Sequence, residues 1–424
     1  MIDIGKLYCG GESSGDALRY GQPGAGEQAP KSASQRRPVT VWNVTRTCNL
    51  RCIHCYTDSE AQAYSGELTT QEGKALLRDL AQFQVPAVLF SGGEPLLRRD
   101  LFELVEYAVN LGLRPTLSTN GTLIDLPTAR RIRQAGFTYV GISLDGIGET
   151  NDRFRGKPGA FDRAVAGFRH CIEVGQRVGL RLTLTRHNFQ DLHRIFDFLE
   201  AENVDRACFY HLAYAGRGRQ ISGDDLTRAE TRRALDIILE RTEGLYHRSL
   251  KKNVLTVDNH VDGVYLYLKL REKDPVRAEQ VLKLLRWNGG GRYSSGVGIA
   301  DIDYVGNVHP DQFWTHYSFG NVRERSFSDI WTDTGDPLMA GLKDRLPLTK
   351  GRCARCRWLE ACGGALRVRA DVYYGDPWAP DPACYLSDEE IGLTDQAKQE
   401  LVEAGEWFAM PAFDAEGGGR ALAS

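Results

Sequence analysis

Neither sign of charge dominates this 424-residue chain. Its 53 lysines and arginines nearly balance 56 aspartates and glutamates, leaving a formal net charge of −3. That balance excludes the broad basic field used to bind nucleic acid, and no charge block forms an acidic tail. Long apolar runs are lacking too. The longest, such as 85–90, fall far short of the ~20 residues that cross a bilayer, so no membrane partner is expected. The first ten residues mix Asp3 and Lys6 with short apolar pieces. They hold no apolar core of a secretory leader, which makes the cytoplasm the expected location. A 42% hydrophobic fraction still allows sizeable cores. Length suggests two or three units of roughly 150 residues each.

Residues 1–37 read as a lead-in, expected to be mobile around the Gly-, Ser- and Gln-rich stretch 21–34. Strand-like runs then fall at 39–44, 87–91, 115–118, 139–144, 180–185 and 207–211. Helix-like segments lie between them at 70–83, 100–111, 127–135, 161–174 and 191–202. Six βα units in a row predict an α/β fold with parallel strands and helical crossovers. Six are too few for the eight-stranded barrel, so a partial (β/α)6 barrel spanning 38–215 is expected, with its chemistry where strands end and loops begin. The pattern breaks at 216–345, a bridging region. There 226–246, 262–285 and 327–346 read as helices, 287–298 as a Gly-rich loop, and 298–308 as a hairpin turning near Gly306. A cysteine-bearing domain at 346–386 and a tail at 387–424, with one helix and a disordered Gly-rich end, complete the expected organisation.

What the chain does have is ten cysteines, seven of them in two tight groups. In a reducing compartment such clusters bind metal or do redox work more often than they form disulfides. Cys48, Cys52 and Cys55 give the spacing CxxxCxxC directly after the first predicted strand. Three thiolates on one loop can hold three irons of a four-iron, four-sulfur cluster and leave the fourth open, as a catalytic metal centre requires. Structural zinc is the alternative, with His54 as a conceivable fourth ligand. The spacing alone does not separate these readings; the flanking sequence does.

The cysteine loop resembles the signature of the radical S-adenosylmethionine (radical SAM) superfamily. The resemblance continues in order over about half the chain, each motif at the end of its own strand. Ser91-Gly92-Gly93-Glu94-Pro95 resembles the motif that contacts the methionine amino group. Two glycines would allow close backbone approach, and a carboxylate would pair with an ammonium. Ser118-Thr119-Asn120-Gly121 follows the third strand. Ser143-Leu144-Asp145-Gly146 follows the fourth and resembles a ribose-binding position, and Arg155 stands where relatives place a carboxylate-facing arginine. The resemblance implies S-adenosylmethionine bound to the open iron and cleaved by one electron to a 5′-deoxyadenosyl radical. It also implies a low-potential donor such as a ferredoxin or flavodoxin.

Cys353, Cys356, Cys362 and Cys384 form the second group. Structural zinc and a second iron–sulfur cluster both fit four thiols. The region resembles the SPASM or twitch extensions of radical SAM enzymes, with informative departures. Asp311 stands in a cysteine's place, Ser294 or Ser295 in another's, and Leu366 in a third's. The missing ligands would have built the nearer of two auxiliary clusters, while the set for the farther one is intact. One auxiliary four-iron cluster on those four cysteines is therefore expected, with Asp311 as a less favoured unusual ligand.

The stretches 257–265, 306–314 and 375–384 resemble radical SAM proteins of haem and haem d1 biosynthesis. Residues 4–10 and 42–46 resemble most the acetate-removing branch of the siroheme-dependent haem pathway. That implies a tetrapyrrole substrate, didecarboxysiroheme, converted to iron-coproporphyrin. Propionate removal in haem d1 synthesis and peptide modification by a related maturase are the alternatives; no peptide-docking element is evident in residues 1–37. A flat polycarboxylate ring needs cations at its rim and an axial ligand for its iron. Arg181, Arg186, Arg217, Arg219 and Arg292 lie near the expected open end, although each is ordinarily read as a solvated charge. His260, His309 and His316 are candidate axial or proton-handling groups, against the ordinary reading of a lone histidine as structural. His260, His309 and Asp311 rank first as catalytic candidates. Cys171 and Cys208 read as buried packing residues, and Cys9 as a lone thiol.

Overall fold

The computed structural model describes residues 1–13, 15–21 and 32–411. Most of the stretch expected to be mobile, and the Gly-rich end from 412, lie outside the described residues. The described chain builds one eleven-stranded sheet: β1 (Ile2–Asp3), β2 (Val39–Thr45), β3 (Val88–Gly92), β4 (Pro115–Thr119), β5 (Tyr139–Ser143), β6 (Val178–Leu184), β7 (Arg206–His211), β8 (Asn253–Val257), β9 (Ile299–Ile302), β10 (Asn307–His309) and β11 (Gly320–Asn321). Their order is β1-β8-β7-β6-β5-β4-β3-β2-β9-β10-β11. The six expected strands run as parallel neighbours from β2 to β7, forming the partial barrel.

The bridging region contributes a strand that the sequence reading did not reveal, β8, which adds a further parallel strand beside β7. β9, the first strand of the expected hairpin, pairs parallel with β2 on the opposite side. The lead-in is not structureless either: β1 pairs antiparallel with β8, and helices Ile4–Leu7 and Asp16–Tyr20 follow it. Asp3 caps the first of these, and Tyr20 donates its environment to the same anchor, its hydroxyl accepting from the Asp3 amide at 2.9 Å.

The crossover helices form where capping and amphipathicity agree. Thr69 and Glu72 close a capping box on helix Thr70–Gln82, whose Leu76, Leu77 and Leu80 are buried. Each such leucine contributes about 1.5–3 kcal/mol of burial. Asp125 caps helix Leu126–Ala135, and Gly136 ends it in the left-handed region at φ 92°. The helix expected over 262–285 is two, Val261–Lys273 and Pro275–Asn288, because Pro275 has no amide hydrogen and Asp274 caps the second. The helix expected over 327–346 likewise breaks into Phe327–Thr332 and Pro337–Lys343, the second capped by Asp336. The hairpin of β9 and β10 turns through Gly306 as expected. The C-terminal ends of β2, β3, β4 and β5 share one edge of the barrel, which puts the four sequence motifs together.

Candidate active site

Cys48, Cys52 and Cys55 line a cavity of about 140 Å³ at that edge, together with Gly92, Gly93, Ser118, Asn120, Ser143, Asp145 and Arg155. Each sulfur has a donor against it. The Leu50 amide lies 3.4 Å from Cys48 Sγ, Arg155 Nη1 3.6 Å from Cys52 Sγ, and the Ser59 amide 3.4 Å from Cys55 Sγ. Thiolates ligating an iron–sulfur cluster take such donors, so the residues fit the group. Burial pushes the Cys48 thiol up to about 12 and raises Cys52, whose rise Arg155 opposes. His54 lines the same cavity. Its Nε2 lies 3.4 Å from Asp145, its ring packs on Phe154, and burial lowers its pKa to about 4. Among the described residues no three His, Cys, Asp or Glu side chains converge as a single metal ion requires.

The Gly92–Gly93 pair lines the cavity and also packs closely against the backbone that carries the cysteines. A Cβ on Gly92 would meet the Thr45 carbonyl at 2.2 Å, and one on Gly93 the Thr47 carbonyl at 2.3 Å. The glycines make room for the strand and loop that carry the cysteines, and the Gly93 and Glu94 amides bond to those carbonyls. Glu94 is fully buried behind the wall of the cavity. Its carboxylate accepts from Thr119 Oγ1 and the Asn120 amide, both at 2.8 Å, and from the Leu96 amide at 3.1 Å. It joins the β3 and β4 loops and is not presented to a ligand. Burial pushes it up to about 7, against those three bonds.

Asn120 donates to Asn49 Oδ1 at 2.8 Å, and Ser118 accepts from Arg181 at 3.0 Å. Asp145 is held by the Thr183 amide at 2.7 Å and by an ion pair with Arg155. Arg217, read as a rim cation, is instead a clamp on the cysteine loop. It donates to the carbonyls of Cys52 and Ser59 and pairs with Asp58 at 2.7 Å. Arg186 pairs with Glu230, and Arg292 stacks on Tyr293. His309 and His316 are also structural: His309 Nδ1 donates to the Tyr317 carbonyl at 2.6 Å, and His316 pairs with Asp371. Neither lines the cavities described here.

A second cavity, of about 910 Å³, enters from the N-terminal ends of the strands at Val39, Ala87, Thr116 and Arg206. It meets the first at Val41, Arg181, Tyr210, Asp258 and Phe313, which line both. Arg36, Arg37, Arg181 and Arg206 give it cations, and Tyr139, Tyr210, Tyr293 and Phe313 give it aromatic surface. His260 and Asp311 line it, as do Ser294, Ser295 and Leu366, the positions that departed from the cysteine pattern. Ser295 and Asp311 hydrogen-bond each other. Asp311 also accepts from the Phe313 amide at 2.9 Å. Cys208, read as packing, lines this cavity, whereas Cys171 lies in the hydrophobic core.

Sequence reasoning missed Asp258. It stands at the end of β8 with φ 66°, and its Oδ2 is buried without a hydrogen-bond partner. Burial raises its pKa to about 6. A non-glycine residue in a left-handed turn is one signal, but it is visible only in the folded backbone.

The second cysteine group also assembles. The thiols of Cys353, Cys356, Cys362 and Cys384 are close enough to act on one another's charge, and the Trp358 amide lies 3.4 Å from Cys356 Sγ. Burial raises Cys353, Cys356 (to about 12) and Cys362. A buried forked pair, Arg369 with Asp381 at 2.9 Å, ties this region to the barrel. Arg369 also donates to the carbonyls of Leu212 and Asp258.

Comparison with known proteins agrees with this geometry. Residues 42–199 match the family model of the radical SAM superfamily. The chain is 54% identical over 399 residues to Fe-coproporphyrin III synthase of Methanosarcina barkeri, covering 92% of this chain and 99% of that protein. It is 45% identical over 361 residues to pre-heme d1 synthase of Dinoroseobacter shibae, covering 84% and 88%. Its fold is similar to that of Streptococcus suis SuiB bound to S-adenosylmethionine, with a TM-score of 0.65 at 20% identity over 83% of this chain and 78% of that one.

Proposed function

The chain belongs to the radical SAM superfamily, and from that membership we propose that it removes the two acetate side chains of didecarboxysiroheme to give iron-coproporphyrin III. The observation that carries this reading is the 54% identity, over nearly the whole of both chains, to Fe-coproporphyrin III synthase. The larger cavity supports it: its arginines suit peripheral carboxylates and its aromatic rings suit the face of a macrocycle. Membership brings S-adenosylmethionine and a four-iron, four-sulfur cluster, which together supply a 5′-deoxyadenosyl radical that takes hydrogen from the substrate.

The chain's own residues do the holding. Cys48, Cys52 and Cys55 would ligate the cluster, and the donors against their sulfurs would tune it. Gly92, Gly93, Ser118, Asn120, Ser143, Asp145 and Arg155 wall the space for S-adenosylmethionine. Glu94 fixes that wall from behind, and Arg155 neutralises Asp145. The substrate enters from the opposite end of the barrel, so the two reactants meet where residues such as Arg181, Tyr210, Asp258 and Phe313 line both spaces.

Cys353, Cys356, Cys362 and Cys384 would hold an auxiliary four-iron cluster with no open iron, suited to electron transfer. A ferredoxin or flavodoxin would supply electrons, in the cytoplasm. The test is anaerobic incubation of cluster-loaded protein with S-adenosylmethionine, a strong reductant and didecarboxysiroheme, followed by mass analysis of the ring. Loss of both acetates with 5′-deoxyadenosine formed is the expected result. Loss of propionate side chains would favour the haem d1 reaction, to which the 45% identical relative points. An unchanged ring beside 5′-deoxyadenosine would overturn the substrate.

A further inference from the structure

Resting on the tetrapyrrole reading, we infer that His260 is the protein's ligand to the iron at the centre of the ring, and that it thereby sets the ring's place in the larger cavity. Among the described residues His260 is the one histidine that lines this cavity. Its Nδ1 is buried and has no hydrogen-bond partner, while Nε2 lies 3.4 Å from the Met1 amino nitrogen. Buried polar atoms are ordinarily satisfied, so an unpaired nitrogen on the histidine of this cavity's wall is one that a ligand completes once the ring turns to present it. Other histidines are engaged or lie elsewhere: His211 pairs with Asp262 at 2.9 Å, His309 bonds to the Tyr317 carbonyl, and His54 lines the smaller cavity.

The backbone that carries His260 is held in place, and burial sets the charge of its ring. It precedes helix Val261–Lys273, and its neighbour Asn259 accepts from the Val261 amide while donating to the Ala383 carbonyl at 3.0 Å. Burial, with the charges of Arg345 and Arg369 nearby, holds the imidazole well below its usual pKa. It is therefore neutral, with a lone pair available, which is the form that ligates metal. Arg36, Arg37, Arg181 and Arg206 line the same space and can take the carboxylates of a ring so centred. Cys208 is the other soft donor in the cavity. Its thiol is buried on β7, and a thiolate signature in the test below separates it from His260.

The test uses cluster-loaded full-length protein, handled anaerobically and titrated with iron(III) coproporphyrin III and with metal-free coproporphyrin III. Wild type is expected to bind the iron ring at least about tenfold more tightly. Its ferric electron-spin-echo modulation should change when histidine is labelled with nitrogen-15. His260→Ala should bind the two rings alike, lose that modulation, and recover it with added imidazole. His260→Gln, checked by thermal unfolding, guards against a folding defect, and the labelled wild type decides the ligand without any variant. If wild type binds neither ring, the tetrapyrrole reading itself fails. If it binds the iron ring with no histidine nitrogen, or with a thiolate signature, or if a folded His260→Ala keeps the preference, the ligand assignment fails and the tetrapyrrole reading stands.

Discussion

Arg155 Nη1 lies 3.6 Å from the sulfur of Cys52. The same guanidinium pairs with Asp145, so a single cation couples the cysteine loop after β2 to the loop after β5. Both members of the ion pair are buried. Truncating one member of such a pair leaves the other charge unpaired, at a cost of about 3–5 kcal/mol. Arg155→Ala should therefore lower stability by that order in chemical denaturation. It should also shift the potential of the Cys48/Cys52/Cys55 cluster to a more negative value, because a positive charge beside the sulfur is lost. An unchanged potential in an anaerobic redox titration would show that Arg155 serves only the fold.

Glu94→Gln tests whether that carboxylate acts through the loops. The amide group can accept through one oxygen only, so an NH2 must face the Thr119 hydroxyl or the Asn120 amide. A loss of about 1–3 kcal/mol is expected from the mismatched buried donor. S-adenosylmethionine binding should weaken in parallel, measured by equilibrium dialysis. Full binding with full stability would remove Glu94 from the site.

The thiols set a pH dependence on cluster assembly. Cys48 and Cys356 are each raised by burial from 9.0 to about 12, so both are protonated at neutral pH before iron is bound. Each ligating thiol must lose its proton, so iron uptake releases protons and weakens as pH falls. The sign is fixed: raising pH from about 7 to about 8.5 should increase iron bound at equilibrium and slow its extraction by chelator. Uptake independent of pH would mean that the thiols are already ionised.

Cys356→Ala separates the two cysteine groups. Wild type should hold about eight irons per chain and the variant about four. Cleavage of S-adenosylmethionine should persist while turnover of the tetrapyrrole is impaired. Equal loss of both activities would count against a distinct role for the second group, and zinc in wild type after anaerobic purification would replace the iron assignment.

Asp258→Asn keeps the shape of the side chain and removes its charge at the junction of the two cavities. Product formation should fall by about a hundredfold, in the range expected for a proton-handling group, while 5′-deoxyadenosine formation without substrate stays near wild type. A parallel fall in both would place Asp258 in the S-adenosylmethionine site alone.

The sequence by itself determined the metal-binding loop, the motif order and the barrel. Cys48, Cys52 and Cys55 are local in sequence, and a motif at each strand end needs only the βα period to be placed. The hairpin through Gly306 was legible for the same reason. What only the tertiary structure decided is who faces whom. Arg217 and Arg186 look alike as charges near loops, yet one clamps the Cys52 carbonyl and the other pairs with Glu230. Gly92–Gly93 looked like room for a ligand, and in the fold the pair also makes room for Thr45 and Thr47. Strand β8 was not read from the sequence, nor was the pairing of β9 with β2. Both pairings form because neighbouring strands offer unpaired amides and carbonyls, and their placement brings Asp258 and Asp311 to the cavity. Contacts between residues far apart in the chain depend on the packed fold, and local pattern carries no record of them.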